Sequence, residues 1–137
     1  MLKNKLKIIA ILSLTVLLIM AIPVFSGCGK VGEYADPITE NILIGMNSAD
    51  YATFSRDFDS SLKAELSEDT FPDFLAAVNG SIGDYITGSK KMSGFNIENG
   101  LTTATYKVDF EGMEDVTVDV IMQKIDGQMK VVGIWFK

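Results

Sequence analysis

The chain is 137 residues long, 47% of them Ala, Val, Ile, Leu, Met, Phe, Trp, Tyr or Cys, with a formal net charge of −6, no histidine and one cysteine. That length suits one domain, or one domain with a membrane segment. The missing histidine removes the commonest acid/base catalyst and metal ligand, and a lone cysteine removes an intrachain disulfide and a cysteine-cluster zinc site.

Lys3, Lys5 and Lys7 precede an uncharged apolar run, Ile8 to Phe25, interrupted only by Ser13, Thr15 and Pro23. A positive start, an apolar middle and small residues at the end are the layout of a secretory signal. Phe25-Ser26-Gly27-Cys28 resembles the lipobox of bacterial lipoproteins, with Phe25 where the pattern usually has Leu. The resemblance implies diacylglyceryl transfer to Cys28, cleavage before it and a lipidated N-terminus. Two other readings stand beside it: an uncleaved signal anchor, since ~17–25 apolar residues span a bilayer, and an ordinary free thiol at Cys28. A cysteine directly after small residues at the end of such a run favours lipidation. At ~0.8 kcal/mol per buried CH₂, two acyl chains hold a small domain stably where one does not. The expected division is a signal peptide over 1–27, a lipidated tether over 28–35 and one domain over 36–137, on the extracytoplasmic face of the cell membrane.

Residues 1–27 hold three lysines and no acid, so the remaining 110 residues carry nine basic and 18 acidic side chains, a net charge of −9. Nucleic acid is a poor partner for that surface, and anionic lipid repels it. Gly29 to Ala35, with two glycines, reads as a flexible tether spanning ~15 Å.

From Asp36 to Gly83 the apolar spacing is helical. Asp36 is placed to cap a first helix with Pro37 at its first position and Ile38, Ile42 and Met46 one turn apart. Asp50 is placed to cap a second helix carrying Tyr51, Phe54 and Phe58, continued by Leu62 and Leu66 after a bend. Thr70 to Asp73 reads as the start of a third, with Phe71, Phe74, Leu75 and Val78 on its apolar face and Asn79-Gly80 as its stop. These aromatics read as core.

After Asp84 the period becomes two. Asn99-Gly100 and Asp126-Gly127 are the preferred two-residue hairpin turns, because both central positions need φ > 0. Counting outward predicts Ile97 opposite Thr102, Phe95 opposite Ala104 and Ser93 opposite Tyr106 in the first hairpin. In the second it predicts Met122 opposite Val131, Val120 opposite Gly133 and Val118 opposite Trp135. A bulge in the glycine-containing first strand would shift its register by one. Gly112 to Asp115 is a third turn.

The expected fold is therefore α+β: three N-terminal helices packed on a curved four-stranded antiparallel meander. Helices first, a long first strand containing Gly88 and Gly94, and a final strand reading Val131-Val132-Gly133-Ile134-Trp135-Phe136 resemble the cone of the nuclear transport factor two-like superfamily. The closer resemblance is to an uncharacterised domain-of-unknown-function branch found in small secreted or lipid-anchored bacterial and archaeal proteins. It implies a curved sheet wrapped on helices, often with a pocket or a sheet-to-sheet dimer face, and no particular activity.

Enzymes of that superfamily place proton-moving side chains inside the cone. Here the inward polar groups are Tyr106, Ser93 and Thr102, with no carboxylate among them, so no catalytic residue is assigned and Tyr106 is the candidate pocket polar group. The acids Asp57, Asp59, Glu65, Glu68, Asp69 and Asp73 lack the spacing of a calcium loop and read as a solvated face; no metal and no cofactor is assigned. Ile121, Val132, Ile134 and Phe136 fall on the outer sheet face by this register. Clustered apolar residues there suggest a covered surface, a homodimer or partner-protein interface. The leading expectation is a lipid-anchored extracytoplasmic binding domain without catalytic activity; the alternative is a small-molecule isomerase or dehydratase-like enzyme using the cone interior.

Overall fold

Apolar side chains at Val31, Ala35, Ile38, Ile42, Leu43 and Met46 recur on one helical face, and all are buried. They belong to a single helix, α1 (Cys28–Asn47), in a computed structural model that describes residues 28–137; the expected signal peptide, 1–27, lies outside them. The expected tether is thus corrected. Residues 28–35 are the first two turns of α1, because Val31 and Ala35 extend the buried face backwards from Ile38. Asp36 is not a cap, and Pro37 stands inside the helix. An interior proline removes one backbone hydrogen bond, at a cost of ~3 kcal/mol. Pro37 and the Glu33 whose carbonyl it leaves unpaired are both exposed, so water can serve that carbonyl.

Gly45 sets how closely the next helix approaches. A Cβ there would come within 2.6 Å of the Phe54 Cα. The short α2 (Tyr51–Phe54) is capped as expected by Asp50, which accepts from the Thr53 N–H and, at 2.7 Å, from the Thr53 hydroxyl. Asp59 accepts from the Leu62 N–H at 2.8 Å and starts a separate helix, α3 (Ser60–Glu65), where a continuation was expected. The last helix, α4 (Phe71–Ile82), overruns Asn79-Gly80 and stops at Gly83, whose φ of +81° suits glycine. Thr70 makes no side-chain cap to it; its hydroxyl accepts from the Ser67 N–H instead. There are thus four helices in the described residues, with Phe54 at their centre, its ring 4.7 Å from Phe71, 4.9 Å from Phe58 and 5.4 Å from Phe74.

Four strands follow in an antiparallel meander of order β1 (Lys91–Glu98), β2 (Leu101–Phe110), β3 (Met113–Ile125) and β4 (Gln128–Phe136). Both two-residue turns form as expected, with φ of 52° and 79° at Asn99-Gly100 and 50° and 79° at Asp126-Gly127. Near each turn the counted register holds: Ile97 faces Thr102, Phe95 faces Ala104 and Met122 faces Val131.

Farther out, a bulge in each hairpin moves the pairing by one residue. Met92, not Ser93, lies opposite Tyr106. Val120 faces Ile134 and Val118 faces Phe136, where Gly133 and Trp135 were expected. A one-residue slip exchanges the two faces of a strand. Here it turns Ile134 and Phe136 toward the helices, where Phe136 lies 6.4 Å from the Phe74 ring and 6.2 Å from Phe110. The open edge of β4 is partly closed by residues 57–59. The Val131 N–H donates to the Asp57 carbonyl at 2.7 Å, and the Asp59 N–H to the Val131 carbonyl at 2.9 Å.

Candidate functional site

Where α1 crosses the sheet, two carboxylates one helical turn apart, Asp36 and Glu40, face β2 and the loop before β1. The Tyr106 hydroxyl, the expected pocket group, donates to Asp36 Oδ1 at 2.7 Å. Tyr85 donates to Glu40 Oε2 at 3.1 Å and accepts from the Gly88 N–H. Lys90 lies between them, its Nζ 3.7 Å from Asp36, 3.8 Å from Glu40 and 5.0 Å above the Tyr106 ring. Asn47, at the end of α1, fixes the loop by donating to the Tyr85 carbonyl at 2.8 Å and accepting from its N–H at 2.9 Å. Beside this joint the Thr39 hydroxyl is buried and has no hydrogen-bond partner among the described residues.

The electrostatics follow from that packing. Burial pushes the Tyr106 hydroxyl well above the ordinary phenol range, and the Asp36 carboxylate that accepts its proton adds to the shift. Tyr85 is raised for the same leading reason, with the Glu40 charge contributing. Neither phenol is poised to lose a proton near neutrality, and Asp36 already holds two partners. As a proton-transfer device the cluster is poorly tuned; as a joint between helix and sheet it is well satisfied.

The other side of the helical layer differs in kind. Between α4 and the far end of the sheet lies a groove of about 440 Å³, open to solvent. Phe74, Val78, Ile82, Met113, Val116 and Phe136 line it, with Lys137 at its rim. An apolar concavity with few polar groups is the usual form of a small-molecule site. A second groove of similar volume, between α1 and the β3–β4 hairpin, is lined by polar groups including Arg56, Asp57 and Lys130.

The outer sheet face is mixed. Of the four residues expected there, Ile121 lies on it, packed over Gly133, while Ile134 and Phe136 have joined the helix side and Val132 is the bulged residue. Trp135, which the counted register had turned inward, stands on the outer face 59% exposed. Beside it Asp119 accepts from Thr105 and Lys137, each at 2.7 Å. Burial raises the Asp119 carboxyl, but those two partners outweigh it and hold the group below its ordinary value. Cys28 is the first residue of α1.

Among the described residues, no group of three or more His, Cys, Asp or Glu converges as a metal site, and no helix is long and apolar enough to cross a membrane. No protein-family model matches the chain, and no curated protein matches it in sequence. The crystal structure of an NTF2-like protein of unknown function from Shewanella baltica OS155 superposes with a TM-score of 0.53, over 82% of this chain and 96% of that one. The fold is NTF2-like. At 11% identity the likeness concerns the fold alone. Within that NTF2-like fold Tyr106, expected as a pocket group, is fully buried and lines neither groove; the sequence pattern did not show that it meets Asp36 and Lys90, or that Glu40 joins them through Lys90. The i, i+4 spacing of Asp36 and Glu40 was the available signal, masked by reading Asp36 as a cap.

Proposed function

We propose that this protein is a lipid-anchored binding domain on the extracytoplasmic face of the cell membrane, an uncharacterised branch of the NTF2-like fold carried on a lipoprotein signal, without catalytic activity of its own. Its ligand is a small apolar molecule held in the groove between α4 and the sheet. The groove is the observation that carries this reading: seven apolar side chains line a volume of about 440 Å³. Burying such surface stabilises a complex by ~25 cal/mol per Å² before association costs. The basic, apolar and small-residue order of residues 1–28 supports the anchor, with Cys28 as the lipidated residue. The exposed Trp135 and its neighbour Ile121 suit a homodimer or partner-protein contact on the outer sheet face.

Native mass spectrometry of the protein taken from its own membranes tests both parts. The mature chain should begin at Cys28 with added diacylglyceryl mass and should retain an apolar small molecule that a Val78→Trp variant loses. A full-length chain without acyl mass would overturn the lipid anchor, and equal retention by the variant would overturn the groove.

The isomerase or dehydratase-like alternative draws on the convergence of Asp36, Glu40, Lys90 and Tyr106, with the Asp36 side chain 52% exposed. In that reading Asp36 is the base that reaches substrate, and Asp36→Asn would abolish turnover while leaving the groove's ligand bound.

A further inference from the structure

The direction of α1 fixes which end of the domain meets the anchor. Tyr34 donates to the Thr102 hydroxyl near the start of β2, Asp36 meets Tyr106 in its middle, and Asn47 holds Tyr85, which bridges to Phe110 at its end. The helix therefore runs in the same sense as β2. Its N-terminus lies at the end of the sheet that carries the Asn99-Gly100 and Asp126-Gly127 turns. Cys28 precedes Tyr34 by six residues, ~9 Å along a helix axis. No flexible segment intervenes, since Val31 and Ala35 are already core. Lipidation at Cys28 and an uncleaved apolar run ending at Phe25 both bring the bilayer to this end.

The side chains there fit a lipid surface. Ile97 and Leu101 flank the first turn and are 60% and 37% exposed; Ile125 and Met129 flank the second and are half-buried. The charges at this end balance, with Lys30, Lys124 and Lys130 against Glu33, Glu98 and Asp126. Five acids, Asp84, Asp109, Glu111, Glu114 and Asp115, gather at the opposite end around the turn joining β2 to β3, and the three lysines nearest them, Lys91, Lys107 and Lys137, leave that end with an excess of two acids. A domain with this polarity is repelled by anionic lipid at its far end and not at its near one.

We propose that the two hairpin tips rest on the bilayer, with Ile97 and Leu101 entering the headgroup layer, so that the anchored domain stands upright with its acidic end outward. This rests on the membrane-anchored reading and adds an orientation to it. The apolar groove, which ends at Met113, then opens away from the membrane.

The test uses the full chain, processed in a bacterial host and reconstituted into vesicles of phosphatidylethanolamine and phosphatidylglycerol. Nitroxide labels at Ile97→Cys, Leu101→Cys and Met113→Cys are compared, with the parent chain as the labelling control. The labels at 97 and 101 should shift toward collision with oxygen over a water-soluble nickel complex, and the label at 113 should behave as in water. Equal, water-like values at all three positions in protein that floats with the vesicles would overturn the orientation and leave the anchor standing. Protein that does not float would overturn the anchor and the orientation with it.

Discussion

Along the flank of α1 that carries Asp36 and Glu40 the contacts are polar and answered from within the protein, whereas beneath α4 they are apolar and open. Asp36, Glu40, Tyr85, Lys90 and Tyr106 bond or pair with one another; Phe74, Val78, Ile82, Met113 and Phe136 line a space that no part of the described chain fills. The contrast separates a joint from a site. A convergent set of titratable groups suggests chemistry at first sight, yet groups that satisfy one another have little left for a ligand. An unfilled apolar concavity still holds the free energy of burying its surface.

The sharpest way to break this contrast is at Phe136, which belongs both to the core and to the groove wall. Phe136→Ala should cost about 3 kcal/mol in urea unfolding. An unchanged midpoint would return this side chain to the outer face. Gly45→Ala, on the α1 side, should cost about 2 kcal/mol by forcing α1 from α2, seen as a lowered melting temperature.

Tyr106→Phe removes the bond to Asp36 and should cost about 1 kcal/mol, because the half-exposed carboxylate recovers water. Its pH signature is distinctive. The folded protein holds the Tyr106 proton to higher pH than the unfolded chain does, so the parent's advantage is complete below the ordinary value of 10.0 and is lost as pH rises above it. The variant's stability should therefore fall less steeply above that pH in alkaline unfolding curves. Asp119 acts in the opposite direction. Its folded value lies below the ordinary 3.8, so its contribution is present above that pH and is lost as pH falls further. Lys137→Met should flatten that acid limb. The smallest effect belongs to Trp135→Ser, within about 0.5 kcal/mol of the parent; sedimentation at rising concentration would show whether the same change weakens self-association.

Local signals in the sequence were legible wherever one residue type sets the geometry. Asn-Gly and Asp-Gly fixed both turns, Asp50 capped α2, and alternation placed Ala104, Val118 and Met122 in the core. Two kinds of feature were not legible. Bulges leave no mark in an alternating pattern until the partner strand is known, so Val132 read as an ordinary strand residue and carried Ile134 and Phe136 to the wrong face. The start of α1 was hidden because Asp36-Pro37 imitates a helix start, while two glycines beside Val31 imitate a linker. Neither site was visible whole. Lys90 meets Tyr106 and Glu40 only through tertiary contact, and the groove joins α4 to a turn thirty residues away.

The most direct test of the account is to titrate an apolar fluorescent probe into the chain from residue 28 onward, with Cys28→Ser, and to map its amide and methyl resonances. Saturable shifts are expected at Val78, Ile82, Met113 and Phe136, with Asp36, Lys90 and Tyr106 undisturbed. Shifts confined to the Asp36–Tyr106 joint, or none that saturate, would contradict the account.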